Sequence, residues 1–369
     1  MVKNNTDKVR VAVLFGGRST EHEISLLSAQ NVISALDKEK YQPVLIGIDK
    51  DGKWYYQDDS LQLLAHTDPK KIGLAQKDKA VIFNQNANEH NVSLISDSAV
   101  QPGFDVIFPV LHGTYGEDGA IQGLAKLANI PCVGAGILGS AIGMDKEIMK
   151  RLLRDADIPN APFATVRVSD ETWPLYDDLS QQFGSVMFVK PANLGSSVGV
   201  SKVDNGTSYT KAIEKALQYD SKVIIEQQII GRELECAVLG NEEPMASIPG
   251  EVVPKDGFYS YESKYIDESG AELLIPADLT KAASDRVRQM AIRTYKILEC
   301  SGMARVDMFM TENGTLFINE INTIPGFTNI SMYPKLWEIS GISNSDLIDR
   351  LINLAFDQHN KFNRLKLSF

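Results

Sequence analysis

Two pairs of polar residues with the same spacing lie close together toward the end of the chain. Arg305 and Asp307 are two residues apart in one apolar run, and Glu320 and Asn322 repeat that spacing in the next run. Residues two apart share a face of a β-strand, and residues 311–314 (TENG) suit a hairpin turn. Two carboxylates and an amide oxygen suit Mg²⁺, and the guanidinium can hold a phosphate or an oxyanion. A surface hairpin with alternating polar residues is the alternative, but like charges facing each other would destabilise it.

A lysine and a glycine-serine loop indicate a phosphate site. Lys190 ends an apolar run, where a lysine can reach a nucleotide phosphate. Residues 194–199 then offer backbone N–H groups and the hydroxyls of Ser196 and Ser197, which suit anionic oxygens. The loop lacks the Gly-Lys-Ser/Thr ending of a P-loop, so it predicts a different kind of ATP site. A tight turn that needs glycine explains the loop equally well.

Two acids and a tyrosine-rich loop could complete a nucleotide site. Glu226 closes the apolar run at residues 223–226, where an adenine or ribose partner would lie, and Glu233 follows after a short turn. A solvated surface acid is the alternative for both. Residues 254–270 have little periodicity, yet residues 258–265 hold three tyrosines and a lysine. Few solvated loops keep so many aromatic side chains, so a lid that closes over the site is favoured.

Glu21 and His112 follow the ends of two strands predicted near the N-terminus. A lone histidine is often structural, but this one lies in a glycine-rich loop with Glu117 and Asp118. Loops at strand ends commonly carry binding residues, and histidine titrates near neutral pH. A ligand-binding role and a structural role for His112 therefore stay equally open.

The glycine pattern at residues 134–139 (GAGILG) matches a dinucleotide-binding motif and invites a dehydrogenase interpretation. That function needs an acidic residue for the ribose on a second strand. Asp155 and Asp157 have a plausible spacing but follow a predicted helix, in a polar turn. We favour a crossing between domains that leads into the helix carrying Lys146.

Composition and charge narrow the class of protein. The chain has 369 residues, of which 43% are hydrophobic and 23% charged, as expected of two or three domains that each bury a core. The net charge of −11 argues against a general partner of nucleic acid or of anionic membranes. Cys132, Cys236 and Cys300 show no metal-ligand spacing and indicate reduced thiols in a cytoplasmic protein. We expect neither a secretory leader nor a membrane-spanning segment.

Alternating strands and helices in the first part of the chain predict a parallel α/β sheet, which places ligands at the carboxyl ends of its strands. The predicted strands cover residues 9–15, 41–48 and 104–111, and the helices cover residues 23–36 and 120–128. Residues 53–101 are predicted to form a peripheral insertion. The elements expected afterwards are helices at 146–154, 279–302 and 343–359, strands at 185–190, 200–203 and 222–227, and the hairpin.

Read in order, these motifs resemble the D-alanine–D-alanine ligase family of the ATP-grasp superfamily. The matching stretches are residues 16–25 (GGRSTEHEIS), 112–119 (HGTYGEDG), 144–146 (MDK), 190–199 (KPANLGSSVG), 259–265 (YSYESKY), 305–307 (RVD) and 319–326 (NEINTIPG). They span nearly the whole chain, apart from residues 53–101 and the tail.

The resemblance implies an α/β, three-domain ATP-grasp fold with an N-terminal Rossmann-like parallel-sheet domain. It assigns residues 1–134 to an N-terminal substrate-binding domain and residues 135–227 to a central ATP-grasp subdomain. Residues 228–369 form the C-terminal ATP-grasp subdomain, with a lid loop at residues 254–270. A cytoplasmic homodimer without nucleic-acid or membrane partners is also implied.

The implied reaction is a step of peptidoglycan synthesis. ATP phosphorylates the carboxylate of one D-alanine, and the amine of a second attacks the acyl phosphate; such transfer needs mainly positioning and charge neutralisation. Asp307, Glu320 and Asn322 are implied to hold Mg²⁺ or Mn²⁺, typically as two ions. Arg305 and the N–H of Gly326 are implied to stabilise the tetrahedral oxyanion.

The resemblance also implies the substrate contacts. The residues that would contact ATP are Lys146, Lys190, Ser197, Glu226, Glu233 and, when the lid closes, Lys264. Glu21 would bind the ammonium of the first D-alanine and His112 would lie near its carboxylate. Ser331 would lie near the carboxylate of the second substrate.

Tyr265 bears on the second substrate. In the family, a tyrosine here hydrogen-bonds with the counterparts of Glu21 and Ser196 and accompanies D-alanine, whereas phenylalanine is associated with D-lactate. Losing a buried hydroxyl partner changes how a site treats an amine and an alcohol. We therefore expect an Ala–Ala enzyme; a D-Ala–D-Lac or D-Ala–D-Ser ligase and a non-enzymatic nucleotide-binding protein are the alternatives. Gln227 and Gln228 depart from the lysine and aromatic residue that relatives often carry.

Overall fold

A computed structural model describes residues 8–57, 72–74, 79–83, 92–94, 103–254 and 271–366. Within these residues the strands form three larger sheets, which follow one another along the chain, and one two-stranded ribbon. Lys264, Tyr265 and nearly all of the predicted lid loop lie outside the described residues.

The first sheet has a central strand that is buried from Val11 onward. Among the described residues, the strands of this part are β1 (Val9–Gly16), β2 (Tyr41–Ile48), β3 (Trp54–Gln57), β4 (Val81–Phe83), β5 (Val92–Leu94) and β6 (Val106–Pro109), and the helices are α1 (His22–Ala35) and α2 (Ala120–Leu127). β1 pairs in parallel with β2 and β6, which confirms the predicted parallel sheet, and β4 pairs with β5 alone. Alternate β1 side chains pack with α1 on one face and α2 on the other, so the strand is apolar from Val11 to Phe15.

The peripheral insertion predicted at residues 53–101 wrongly includes a strand of the first sheet. β3 pairs antiparallel with β2, from Leu45 opposite Gln57 to Ile48 opposite Trp54, and so forms the edge of the first sheet. Its side chains alternate between buried and partly exposed, as expected of an edge strand. With four residues, β3 is too short for this alternation to stand out in a polar region.

The second sheet is antiparallel and carries the glycine-serine loop. Its strands are β7 (Phe163–Arg167), β8 (Met187–Pro191), β9 (Ser201–Val203) and β10 (Lys222–Gln227), in the order β7-β10-β8-β9. The helices before and within this unit are α3 (Ile137–Met144), α4 (Lys146–Asp155), α5 (Tyr176–Phe183) and α6 (Gly206–Ala216). The loop joins β8 to β9, so Lys190 lies directly before it.

The third sheet is antiparallel too and ends in the predicted hairpin. Its strands are β11 (Arg232–Leu239), β12 (Met245–Ala246), β13 (Gly250–Pro254), β14 (Ala271–Leu274), β15 (Met303–Met310) and β16 (Leu316–Asn322). The order is β14-β13-β11-β15-β16, with β12 beside β11. The helices are α7 (Lys281–Ile297), α8 (Met332–Ile339) and α9 (Asn344–Phe362).

The first and third units share an apolar core in addition to the buried clusters of their own. One apolar cluster contains residues of β1 and β6 together with residues of α8 and α9. The Phe327 ring lies 6.0 Å from that of Phe108 on β6 and 5.7 Å from that of Tyr333 on α8. Helices α8 and α9 follow the third sheet in sequence but pack on β1 and β6, so the chain returns to the first sheet. That return brings the segment after β16 against the His112 loop.

The last glycine of the pattern at residues 134–139 has a packing reason. A Cβ at Gly139 would lie 2.7 Å from the Glu299 carbonyl oxygen, so only glycine lets α3 approach this turn. The segment then leads through α3 into α4, which begins at Lys146, as the predicted domain crossing requires.

Helix α7 is shorter than its predicted range of 279–302, because Glu299 has a φ of 52° and ends the helix. Helices α5, α6 and α8 are not among the predicted elements; they are short, and Pro334 obscures the signal of α8. Among the described residues, no helix is both long and apolar enough to cross a membrane.

Candidate active site

The predicted hairpin brings the two polar pairs together. On β15 and β16, Arg305 lies opposite Asn322 and Asp307 lies opposite Glu320, as the spacing predicted. The register shifts after Asp307, where Met308 pairs with Ile318 and leaves Asn319 as the extra residue of a bulge. The four polar side chains therefore occupy neighbouring positions at one end of the hairpin.

Arg305 lies between two carboxylates. Its Nε and one terminal nitrogen donate to the two Asp307 oxygens, each at 2.7 Å. Its Nε also lies 2.9 Å from Glu235 Oε2, and Glu235 faces Asp307 across the β11–β15 pair. All three side chains are largely buried, so the guanidinium is held in a fixed plane. The sequence did not reveal Glu235, because its role comes from a partner on another strand far along the chain.

Lys146 links the hairpin to the glycine-serine loop. Its Nζ donates to the Leu194 carbonyl oxygen at 2.7 Å and lies 3.6 Å from Glu320 Oε2. Asp145 caps α4 by accepting from the Ile148 N–H at 3.1 Å, which fixes where Lys146 begins the helix. The lysine is therefore placed between two predicted phosphate-handling segments.

Lys190 is part of a buried group of three charges. Its Nζ lies 2.6 Å from one Glu226 oxygen, and Lys150 Nζ lies 3.0 Å from the other. Burial alone would raise the pKa of Glu226, but Lys150 and then Lys190 outweigh it and lower the pKa to about 2. Glu226 is therefore a buried carboxylate held between lysines, and not a solvated surface acid. Lys150 was missed because it reads as one more polar residue of an amphipathic helix.

Two adjoining cavities collect the predicted residues. The first, here called the arginine cavity, is lined by Glu21, His112, Ser196, Arg305, Asn322, Gly326 and Ser331. The second, the lysine cavity, has a volume of about 500 Å³ and is lined by Lys190, Ser197, Glu226 and Glu233. Lys146, Gly195 and Glu320 line both. The predicted site residues therefore line one of two joined cavities, with three exceptions. Asp307 is buried beside Glu320 and adjoins the cavities, while Lys264 and Tyr265 lie outside the described residues.

The lysine cavity combines charge with apolar walls. Phe188, Phe309 and Ile318 line it beside the lysines. Such walls suit a planar heterocycle, while the lysines suit anionic groups. Gln227 and Gln228 line it too, so the departure from the family pattern lies at this wall.

The two loop serines face different cavities. Ser196 and Ser197 have φ angles of 53° and 58°, a backbone region that non-glycine residues seldom occupy. Ser196 lines the arginine cavity, whereas Ser197 lines the lysine cavity. A turn that merely needed glycine would not keep two serines in this conformation, so the geometry favours a binding loop.

His112 is buried and neutral. Its Nδ1 lies 3.1 Å from the Ile324 carbonyl oxygen and must donate to it, which leaves Nε2 to accept from Ser28 Oγ at 3.2 Å. Burial lowers the pKa of His112. The ring also borders the arginine cavity. His112 therefore has the hydrogen bonds of a structural histidine and also lies where it could contact a ligand.

Glu117 is an unusual acid in this region. Its Oε2 accepts from the Gly113 N–H at 2.7 Å. Burial, followed by the nearby Glu21 carboxylate, raises the pKa of Glu117 to about 8. At neutral pH this loop therefore contains a mostly uncharged carboxyl group beside the arginine cavity.

The segment after β16 needs a glycine at residue 326. A Cβ there would lie 2.8 Å from Ser331 Oγ, and that hydroxyl accepts from the Thr328 N–H at 2.9 Å. Only glycine therefore lets the backbone approach Ser331 this closely. Gly326 and Ser331 line the arginine cavity together.

The donor set on the hairpin fits a hard divalent cation. Among the residues in the described ranges, no cluster of three or more His, Cys, Asp or Glu side chains suits a metal. Asp307 and Glu320 nevertheless form a cross-strand pair of carboxylates, and Asn322 adds an amide oxygen, which also accepts from the Ile324 N–H at 3.2 Å. Two carboxylates and an amide beside bound phosphates form a set that Mg²⁺ prefers.

Comparison with known families gives a consistent result along the chain. The family model for the N-terminus of D-ala D-ala ligase matches residues 10–135, and that for the C-terminus matches residues 152–353. A D-alanine–D-alanine ligase of Oceanobacillus iheyensis is 49% identical over 361 residues, covering 98% of this chain and 99% of that protein. D-alanine–D-alanine ligase A of Escherichia coli K12 is 48% identical over 360 residues, with 98% and 99% covered.

Solved structures agree with these relatives. The D-alanine–D-alanine ligase of Coxiella burnetii superposes with a TM-score of 0.86 at 40% identity, covering 97% of this chain and 96% of that one. The VanG D-Ala:D-Ser ligase of Enterococcus faecalis superposes with a TM-score of 0.81 at 36% identity, with 95% and 100% covered. The fold is therefore the α/β fold of ATP-grasp ligases. The chain belongs to the D-alanine–D-alanine ligase family.

Proposed function

We propose that the protein joins two D-alanines to D-alanyl-D-alanine at the expense of ATP, through an acyl phosphate, for peptidoglycan synthesis. The observation that carries this proposal is the junction of the two cavities at Lys146 and Glu320. An amino acid in the arginine cavity and a nucleotide in the lysine cavity would meet there. Their reacting groups would lie next to the hairpin that carries Arg305 and Asp307.

The first D-alanine fits the arginine cavity. Glu21 offers a buried carboxylate for the ammonium group, and the His112 ring, which lines the same cavity, would lie near the carboxylate of the substrate. His112 is neutral, so it does not pair with that carboxylate as a cation and leaves it available as a nucleophile.

ATP fits the lysine cavity. The apolar wall around Phe188 and Phe309 suits the base, and Glu226 and Glu233 line the same space for the base and ribose. Lys146, Lys190 and the Ser197 loop supply positive charge and hydrogen-bond donors for the phosphates. We also propose that Lys264 reaches the γ-phosphate when the lid closes.

Arg305 would stabilise the charge that develops in the second step. When the amine of the second D-alanine attacks the acyl phosphate, the carbonyl oxygen becomes an oxyanion. The guanidinium, held by Asp307 and Glu235, is oriented in advance, and the N–H of Gly326 lies in the same cavity. A donor that is fixed before the reaction costs no reorganisation. Ser331 would hold the carboxylate of the second substrate.

Asp307, Glu320 and Asn322 would hold Mg²⁺ or Mn²⁺, and we propose two ions. The metal would neutralise the negative charge of the phosphates during transfer. This chain's own contribution is the cross-strand placement of the two carboxylates, which keeps their oxygens on one side of the hairpin.

We propose D-alanine as the second substrate, in preference to D-serine or D-lactate. The proposal rests on Tyr265 as the expected partner of Glu21 and Ser196. Glu21 and Ser196 line the same cavity. The similarity to a D-Ala:D-Ser ligase keeps D-serine as the second candidate.

The domain boundaries, the oligomeric state and the location in the cell are also proposals. We propose domains at residues 1–134, 135–227 and 228–369, since each of the three larger sheets falls within one of these ranges. A cytoplasmic homodimer without nucleic-acid or membrane partners fits the net charge of −11.

A coupled phosphate-release assay tests the proposal. The protein is incubated with ATP and Mg²⁺ and with D-alanine, D-serine or D-lactate, and the products are separated by mass. We expect phosphate release that depends on D-alanine and yields the dipeptide. Depsipeptide formation that outpaces dipeptide formation at neutral pH would overturn the choice of second substrate. No phosphate release with any of the three would overturn the proposed reaction.

A further inference from the structure

Lys150 is a buried cation that the proposed reaction does not use. Its side chain is 1% exposed and lines neither the arginine cavity nor the lysine cavity. It lies on α4, one helical turn after Lys146. A lysine buried this far costs free energy unless its charge is compensated, so its position calls for a reason.

The surroundings of Lys150 are well defined. Its Nζ lies 3.0 Å from Glu226 Oε1, donates to the Ala161 carbonyl oxygen at 3.3 Å and lies 5.7 Å from the centre of the Phe163 ring. Glu226 turns its other oxygen to Lys190, at 2.6 Å. Lys190, Glu226 and Ala161 line the lysine cavity, and Lys150 lies behind that wall.

The charges of this group do not cancel. Lys150 and Lys190 contribute two positive charges and Glu226 one negative charge, so this group of three residues keeps one net positive charge. Without Lys150, Lys190 and Glu226 would form a neutral pair. Lys190 would then offer a nearby phosphate much less attraction, because Glu226 would oppose its charge at nearly the same distance.

We infer that Lys150 is a positioning residue that compensates Glu226 from behind, so that Lys190 keeps its charge for the anionic part of a nucleotide. The inference rests on the proposed function, which puts the phosphates of ATP in the lysine cavity. Lys150 itself touches no ligand. It acts through Glu226, which it holds in place when Lys190 turns toward a phosphate.

The test compares a charged ligand with an uncharged one. ADP and adenosine share the base and ribose, so the ratio of their affinities isolates the phosphates. In Lys150→Met, calorimetry at fixed ionic strength should show ADP affinity reduced about tenfold or more, with adenosine affinity within about twofold of wild type. Lys211→Met removes an exposed lysine of α6 and should leave both affinities unchanged.

A second variant separates charge from packing. In Lys150→Met/Glu226→Gln, Lys190 is the one charged residue left in the group of three. The group therefore regains one net positive charge, and no buried carboxylate is left in it. The ratio of ADP to adenosine affinity should return toward the wild-type value, even if Glu226→Gln weakens both ligands through the base. This variant also serves if Lys150→Met alone fails to fold.

Three results would overturn the inference. The first is an equal loss of ADP and adenosine affinity in Lys150→Met, which would make Lys150 a packing residue. The second is an ADP affinity unchanged in that variant, and the third is a double variant whose ratio is no higher than that of Lys150→Met. If the wild type itself bound no ADP, the proposed function would fail, and that result is distinct from the other three.

Discussion

The imidazole of His112 and the carbonyl group of Ile324 are joined across 212 residues of sequence. Nδ1 of His112 lies 3.1 Å from the Ile324 oxygen, and Nε2 accepts from Ser28 Oγ, which in turn accepts from the Phe327 N–H at 3.2 Å. This chain of hydrogen bonds ties the loop after β6 to the segment after β16. It therefore holds the loop that carries His112 against the segment that carries Gly326.

Replacing His112 by glutamine should loosen that tie. Loss of a buried hydrogen-bonded group costs about 1–3 kcal/mol in the free energy of unfolding at pH 7, and the Michaelis constant for the first D-alanine should rise. Burial lowers the pKa of His112, so in acid the unfolded state binds a proton that the folded state does not.

The wild type should therefore lose stability as the pH falls below the unfolded-state value of about 6.5, and His112→Gln should not lose that part. The difference between the two proteins should shrink between pH 7 and pH 5 when urea unfolding is followed. A difference that is constant or grows in acid would contradict this.

Glu117→Gln should stabilise the protein increasingly toward alkaline pH. The pKa of Glu117 is raised to about 8, so the folded state holds a proton that the unfolded state releases near 4.5. Wild-type stability from this group is fully present below 4.5 and is lost as the pH rises through 8.

Because glutamine does not ionise, its advantage should grow by roughly 1 kcal/mol per pH unit across that window. Thermal melts at pH 5, 6.5 and 8 test this, with the exposed-site variant Glu214→Gln as the control. Parallel melting curves for Glu117→Gln and wild type at all three values would rule it out.

Arg305→Lys should abolish most turnover while keeping the charge. Lysine cannot reproduce the fork to Asp307 or the planar donors that we propose for the oxyanion. We expect kcat to fall by about 10² to 10³, with a smaller change in the Michaelis constant for ATP. Arg286→Lys, an exposed change on α7, is the matched control. A kcat within twofold of wild type would argue against Arg305 as the oxyanion donor.

Asp307→Asn should weaken divalent-cation binding. It removes one of the two facing carboxylates and also one charged partner of Arg305. Mn²⁺ binding in the presence of ADP, followed by electron paramagnetic resonance, should weaken by about tenfold or more, and ligation should fall with it. Glu312→Gln, in the turn of the same hairpin, should bind Mn²⁺ as the wild type does. An unchanged Mn²⁺ affinity in Asp307→Asn would show that Asp307 is not a metal ligand.

The hairpin was predictable because its information is local. A period of two decides which side chains share a face, and a four-residue turn decides that the strands are neighbours. Arg305, Asp307, Glu320 and Asn322 therefore came from spacing alone, and their register agrees. The same reasoning located the parallel sheet and the loop after Lys190.

Glu235 and Lys150 could not be found in this way. Each reads as an ordinary charged residue of an amphipathic element, and its importance comes from a partner far along the chain. Glu235 meets Arg305 across β11 and β15, and Lys150 meets Glu226 between α4 and β10. A spacing pattern carries no information on such pairs, because they depend on how the elements pack.

Spacing and motifs were enough to predict a hairpin with metal-ligand chemistry, lysines suited to phosphates, a parallel sheet and the family. The folded arrangement was needed to show that α8 and α9 complete the core of the first sheet and that two cavities meet at Lys146 and Glu320. It also decided that Glu226 is a charge held between two lysines. The physical reason is that periodicity acts over a few residues, whereas burial and charge compensation join groups that only folding brings together.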